Sequence, residues 1–201
     1  MAVIGSAFMA TSLSDDSLVR LLVNALATTL ALFVAISVFA SISGAHFNPV
    51  VTLVFAIENK NNWSDVILYI LAQFSGGVFG VFLANLMFQG SVLKVAGMDR
   101  ADLKNYLGEI IATSILVMLI LISVTQNRAH TVAYLVPAWI GSAYFTTVST
   151  SFANPAVTFA RTFSDNGAGI NPQSMGIFIA VQLAGGLLGL FLSRIFMQRK
   201  A

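Results

Sequence analysis

Apolar residues run along this chain in long blocks rather than in a helical stripe, and the length of each block limits what it can become. Five blocks are long enough to cross a bilayer: Val19 to Ile42, Val66 to Phe88, Leu107 to Val124, Thr131 to Val148 and Met175 to Met197. None carries the polar face of a water-soluble amphipathic helix. The opening block, Met1 to Leu13, is apolar but too short. At about 1.5 Å per residue it reaches roughly 20 Å, against a hydrocarbon core of about 30 Å. Two further apolar segments, Phe47 to Ile57 and Phe152 to Phe163, are also too short to span, and each holds Asn-Pro near its start. Asparagine is a favoured N-cap, and proline in the first turn has no N–H to lose, so each Asn-Pro predicts a helix start. Short helices at membrane depth persist only where other protein or a water-filled cavity satisfies their open backbone groups. The pattern therefore predicts an all-α membrane protein with two re-entrant half-helices beside a cavity.

The pattern also repeats. AQFSGGVFGVFLA (Ala72 to Ala84) is matched by VQLAGGLLGLFLS (Val181 to Ser193), and FNPVVTLVFA by ANPAVTFART. In each half the Asn-Pro segment precedes the Gln-Gly-Gly span. This predicts one transmembrane domain over residues 1–201, made of a first unit over 1–88 and a second over 107–197. Two copies with an odd number of crossings must face opposite ways, the inverted arrangement that builds a site at the bilayer midplane. Gly76, Gly77 and Gly80, with Gly185, Gly186 and Gly189, give each final span a small-residue face for close packing. Gln73 and Gln182 are equivalent and are expected to bond the re-entrant backbone.

Composition narrows the function classes. Hydrophobic residues make up 57% of the chain and charged residues 9%, against about 25% charged in a soluble domain. A multi-pass protein of the lipid bilayer is the consistent reading. The net charge of +2 is scattered, with no basic run, so nucleic acid is not an expected partner. The absence of cysteine removes thiolate metal sites and thiol nucleophiles. His46 and His130 have no second ligand near them, and no intramembrane nucleophile has a base beside it, so neither a metal site, a cofactor nor an enzymatic reaction is expected. Orientation stays open. With cytoplasmic termini, Lys60, Arg128, Arg194, Arg199 and Lys200 fall inside, while Arg20, Lys94, Arg100, Lys104 and Arg161 fall outside.

SGAHFNPVVT and SFANPAVT, half the chain apart and each followed by its Gln-Gly-Gly span, resemble the paired Asn-Pro-Ala boxes of the aquaporin and glycerol-facilitator family, in its bacterial form. The resemblance covers nearly the whole chain. It implies an inverted repeat of six spans, the first one truncated, plus two re-entrant half-helices. It also implies a homotetramer in the bacterial inner membrane, passing water and small uncharged solutes. The pore centre is then Asn48, Pro49, Val50, Asn154, Pro155 and Ala156, where two half-helix N-termini point their positive ends and their amides at one spot. The carbonyls of Gly44, Ala45, His46, Ser151, Phe152 and Ala153 would line the conduit.

Counting without gaps from the two asparagines, the family's outer constriction falls at Thr28, Ser142, Ser151 and Val157. The usual aromatic and arginine are missing there, and the first box reads Asn-Pro-Val, with Val50 expected to splay the half-helix contact. Three small side chains and a valine predict a wide filter that admits glycerol, urea or neutral metalloid acids such as arsenous acid. Exclusion of protons would then rest mainly on the central dipoles. Arg161, one turn beyond Val157, is either a displaced filter arginine at the outer mouth or a side chain that snorkels or pairs with Asp165. The resemblance assigns Glu109 the structural task of bonding the second re-entrant loop, a task an amide could partly imitate. The alternative is a proton-coupled transporter that uses Glu109 as its relay. The family's first span carries a matching glutamate that this chain lacks, which leads to the expectation that Met1 lies downstream of the true start or that the chain is a natural short form.

Overall fold

The computed structural model describes residues 1–58, 60, 62–89 and 92–198; Arg199 and Lys200 lie outside them. Among the described residues, eight α-helices follow one another: α1 (Ala2–Leu13), α2 (Ser17–Ser43), α3 (Pro49–Ile57), α4 (Trp63–Gln89), α5 (Leu103–Thr125), α6 (Val132–Thr146), α7 (Pro155–Ala160) and α8 (Pro172–Gln198). Local chemistry sets their ends. Asp16 and Asp102 cap α2 and α5 by accepting the N–H of Val19 and Lys104, which satisfies donors the helix leaves open. Gly44 closes α2 in the left-handed region at φ +74°, a conformation glycine adopts without a Cβ clash.

Four helices, α2, α4, α5 and α8, are long and apolar enough to cross a membrane. The block from Thr131 to Val148 is realised as a 3-10 turn, Ala129–Thr131, followed by the 15 residues of α6. Pro137 lies inside α6, where it removes one helical hydrogen bond. The second half-helix ends at Ala160 and tightens into a 3-10 turn, Arg161–Phe163.

Packing follows a pseudo-two-fold axis. α1 packs on α2 and α4 as α5 packs on α6 and α8; α3 touches α4 and α8 as α7 touches α8 and α4; α2 meets α6 and α3 meets α7 across the axis. The α5–α8 interface is the most extensive, and glycine permits it. A Cβ on Gly185 would sit 2.8 Å from the Ile110 carbonyl oxygen of α5.

The distribution of polarity is inverted relative to a soluble protein. Leu22, Leu26, Phe33, Leu68, Leu71, Phe79, Leu187 and Phe191 face outward, while Asn48, Thr52, Glu109, Thr158, Arg161 and Gln182 are buried. Such an apolar exterior suits lipid, and buried polar groups at membrane depth mark function or bonded scaffolding. The chain is an integral, multi-pass membrane protein.

Backbone hydrogen bonds hold residues 92–102, before α5, to the second repeat. Ala96 N–H donates to Thr162 O (2.9 Å) in the 3-10 turn after α7, and Asn171 N–H, just before α8, to Met98 O (2.8 Å).

Candidate functional site

A cavity of about 1120 Å³ runs between the two repeats, lined from Lys60 and His130 at one end to Thr28, Tyr144 and Arg161 at the other. The tips of α3 and α7 meet within it. Asn48 and Asn154 cap these helices: Asn48 Oδ1 accepts from Val50 N–H (3.0 Å), and Asn154 Oδ1 from Ala156 and Val157 N–H (3.0 and 3.2 Å). The amide nitrogens cross over. Asn48 Nδ2 donates to Ala153 O (2.7 Å) and Asn154 Nδ2 donates to Phe47 O (2.8 Å), so each asparagine binds the loop of the other repeat. One N–H of each amide remains, and both side chains line the cavity. Pro49, Val50, Pro155 and Ala156 do not line it. They pack behind the tips, and Val50 fits against the bare face of Gly186 on α8. The sequence-based expectation of a splayed contact overlooked that notch.

The loops before the asparagines share an unusual backbone. Ala45 and Phe47, three and one residues before Asn48, have φ of 48° and 47°; Ser151 and Ala153, in the same positions before Asn154, have 52° and 46°. Left-handed conformations cost non-glycine residues roughly 1–2 kcal/mol each and persist only where their surroundings over-determine them. The residues so arranged border the cavity. Gly44, Ala45, His46, Phe152 and Ala153 all line it, although the Ala153 carbonyl is engaged by Asn48. Phe47 is its counterpart, which the sequence reading left out.

What holds the second loop is Glu109. Its carboxylate, fully buried on α5, accepts from Phe152 N–H (2.9 Å), Ala153 N–H (2.8 Å) and Gln182 Nε2 (2.6 Å). Gln182 Nε2 also donates to Thr158 Oγ1 (2.8 Å), which donates to the Asn154 carbonyl (2.9 Å). Gln73 and Thr52 repeat that arrangement on the first half-helix, at 2.9 and 3.2 Å. The glutamines therefore reach the caps through threonines rather than bonding the loop backbone directly. No carboxylate serves the first loop among the described residues. There Tyr69 OH donates to Ser43 O (2.9 Å), and His46 bonds Thr52 Oγ1 (3.2 Å) with its ring against Phe55 and Tyr69.

At the end opposite Lys60 and His130, Thr28, Ser151, Val157 and Arg161 line the cavity, and Ser142 does not. Ser142 lies on the exposed side of α6 with Tyr134 and Phe145. The cavity face of that helix is Val132, Val136, Ile140 and Tyr144, spaced by four residues. A shift of two residues rotates a helix position by about 200°, so the counted position points away. Tyr144, absent from the sequence-based filter, sets its hydroxyl 3.2 Å from Thr28 Oγ1. The mouth thus has both an aromatic and an arginine, supplied from positions other than the counted ones.

Arg161 neither snorkels nor pairs with Asp165. It is 3% exposed, its Nε donates to Ala168 O, and its guanidinium lies over the Phe152 ring at 3.3 Å. Asp165 is instead engaged by Gly97 N–H (3.1 Å) and Lys94 (3.2 Å), and these two, Gly97 first, hold its carboxyl below the usual carboxylate range.

Residues 1–151 match the family model described as major intrinsic protein. An aquaglyceroporin of Rhizobium meliloti is 39% identical over 197 residues, covering 98% of this chain and 84% of that protein. A glycerol uptake facilitator protein of Streptococcus pneumoniae is 34% identical over 103 residues, 45% of this chain and 44% of its own. The X-ray structure of the aquaglyceroporin from Plasmodium falciparum superposes with a TM-score of 0.63 over 97% of this chain and 88% of that one, at 20% identity.

Proposed function

Since the chain belongs to the major intrinsic protein family, we propose that it is a passive, bidirectional channel for water and for neutral solutes of glycerol size. The observation that carries this reading is the reciprocal pair of asparagine amides, each with an N–H left over beside one cavity. A solute oxygen that accepts from both cannot at the same time relay a proton along a file of water. The two half-helix dipoles oppose cations at the same point.

Selectivity is set at the mouth. Thr28, Ser151 and Val157 leave room, and pore width with its donors decides what passes. Glycerol, urea and undissociated arsenous acid fit such a filter. A homotetramer with one pore per subunit, in a bacterial inner membrane, is the assembly that goes with this reading. Proton-coupled transport through Glu109 has no support in the geometry: both carboxylate oxygens are occupied by N–H donors, and the residue does not line the cavity.

Stopped-flow shrinking of proteoliposomes with water, glycerol, urea and arsenous acid in turn tests the proposal. Downhill flux of glycerol, indifferent to an imposed pH gradient, is expected. Uptake against a gradient, or no flux above protein-free vesicles, overturns it. Arg161→Ala should raise glycerol flux relative to water flux, because it widens the mouth and removes donors; an unchanged ratio would remove Arg161 from the filter.

A further inference from the structure

The charges around Phe152 do not balance. Arg161 covers its ring at 3.3 Å and Arg100, from the segment before α5, at 4.8 Å. Glu109, bonded to the Phe152 backbone N–H, is the acid on the same residue. Two guanidinium groups against one carboxylate leave a surplus positive charge. Arg100 is fastened by Nε to Gly169 O (2.9 Å) and by Nη2 to Gly167 O (3.0 Å). Arg161 bonds protein through Nε alone, and among the described residues neither of its Nη nitrogens has an acceptor and no carboxylate lies within 4.0 Å of it. A buried cation at membrane depth is costly unless a counter-charge or hydrogen-bond acceptor meets it.

The residues around that fork are those of a binding site rather than of a packed wall. Ser151 lines the same cavity by its backbone side, its Oγ being closed off from it. The Thr28–Tyr144 hydroxyl pair lines it too. Val157 leaves space where a longer side chain would fill the mouth. A guanidinium fork with both Nη groups free matches a planar, two-oxygen anion through paired charge-assisted bonds.

We propose that the mouth of the cavity at Arg161 binds a small monovalent carboxylate, held in bidentate fashion by the Arg161 Nη groups, and that the bound anion obstructs neutral solutes. The second half of this statement rests on the channel reading; the first does not.

Formate is the probe, and gluconate, a carboxylate too large for the mouth, is the control at equal ionic strength. Thermal unfolding of the purified full chain in detergent should show Tm raised by formate over gluconate, by about 3 °C at tenfold the dissociation constant. The rise should vanish in Arg161→Gln and shrink in Arg161→Lys, which keeps the charge but loses the fork. In proteoliposomes, external formate should slow glycerol flux of the unaltered protein, and that inhibition should disappear in Arg161→Gln. Equal Tm values in formate and gluconate, or a formate effect that survives Arg161→Gln, overturn the proposal. If glycerol flux is absent while the formate-specific Tm rise is present, the channel reading and the obstruction fail and the anion site stands. Should Arg161→Gln not fold, Arg161→Lys serves in its place, with a reduced formate shift expected and an unchanged one contradicting the assignment.

Discussion

Glu109→Gln is expected to cost about 2–3 kcal/mol of stability, lowering Tm by about 5–10 °C, while the protein that remains folded conducts neutral solutes with no new pH dependence. Both oxygens of Glu109 face N–H donors: Oε1 meets Phe152 N–H, and Oε2 meets Ala153 N–H and Gln182 Nε2. An amide nitrogen at either position opposes a backbone N–H. Gln182 can turn its own unpartnered Oε1 toward the new amide, but the backbone donors cannot turn. One is left unsatisfied, and the left-handed residues Ser151 and Ala153 lose part of what holds them. Thermal unfolding of purified protein checks it. Wild-type stability in Glu109→Gln would show that the carboxylate is not what secures the loop, and loss of a pH-driven uptake would revive the transporter.

Gly186→Ala should be almost as damaging, and Val50→Ala should relieve it. A Cβ on Gly186 would overlap Val50 Cγ1. Val50 is 1% exposed and β-branched, so it has little rotamer freedom with which to retreat. Overpacking of this kind costs about 1–3 kcal/mol. Shortening Val50 opens the space, and alanine is the better helix former by roughly 1 kcal/mol. The double variant is therefore expected to be more stable than the sum of the single changes implies, by about 1 kcal/mol or more. Gly76→Ala is the control, because a Cβ there meets nothing within 4 Å. Strict additivity of Gly186→Ala and Val50→Ala would mean that the half-helix does not rest in this notch.

These two sites also show how far the chain can be read unaided. The half-helices were legible because their starts depend on chemistry confined to Asn-Pro: a capping amide and a ring without an N–H. Glu109 was legible because an acid well inside an apolar span must be bonded to something. The fit of Val50 to Gly186 was not, since 136 residues separate two positions whose meeting depends on how α3 leans on α8. Ser142 was misplaced for a related reason. Ungapped counting preserves distance along the chain but not rotation about α6, and the loop into Ser151 absorbs the difference. The signal that could have found Tyr144 was the i, i+4 spacing of Val136, Ile140 and Tyr144. For Arg161, the nearby Asp165 suggested a pair. The chain leaves regular helix at Ala160, however, and Lys94, in the segment before α5, reaches that carboxylate instead.

That solutes pass between the two asparagine-capped tips is most directly tested by chemical block of a single thiol. The chain has no cysteine, so Val157→Cys, beside Asn154 on the cavity wall, and Ser142→Cys, on the far side of α6, each present one reactive group. After treatment with a small mercurial, and with labelling of both thiols verified, glycerol flux through Val157→Cys should fall to the protein-free level while Ser142→Cys conducts as before. Undiminished flux through fully labelled Val157→Cys would place the path elsewhere.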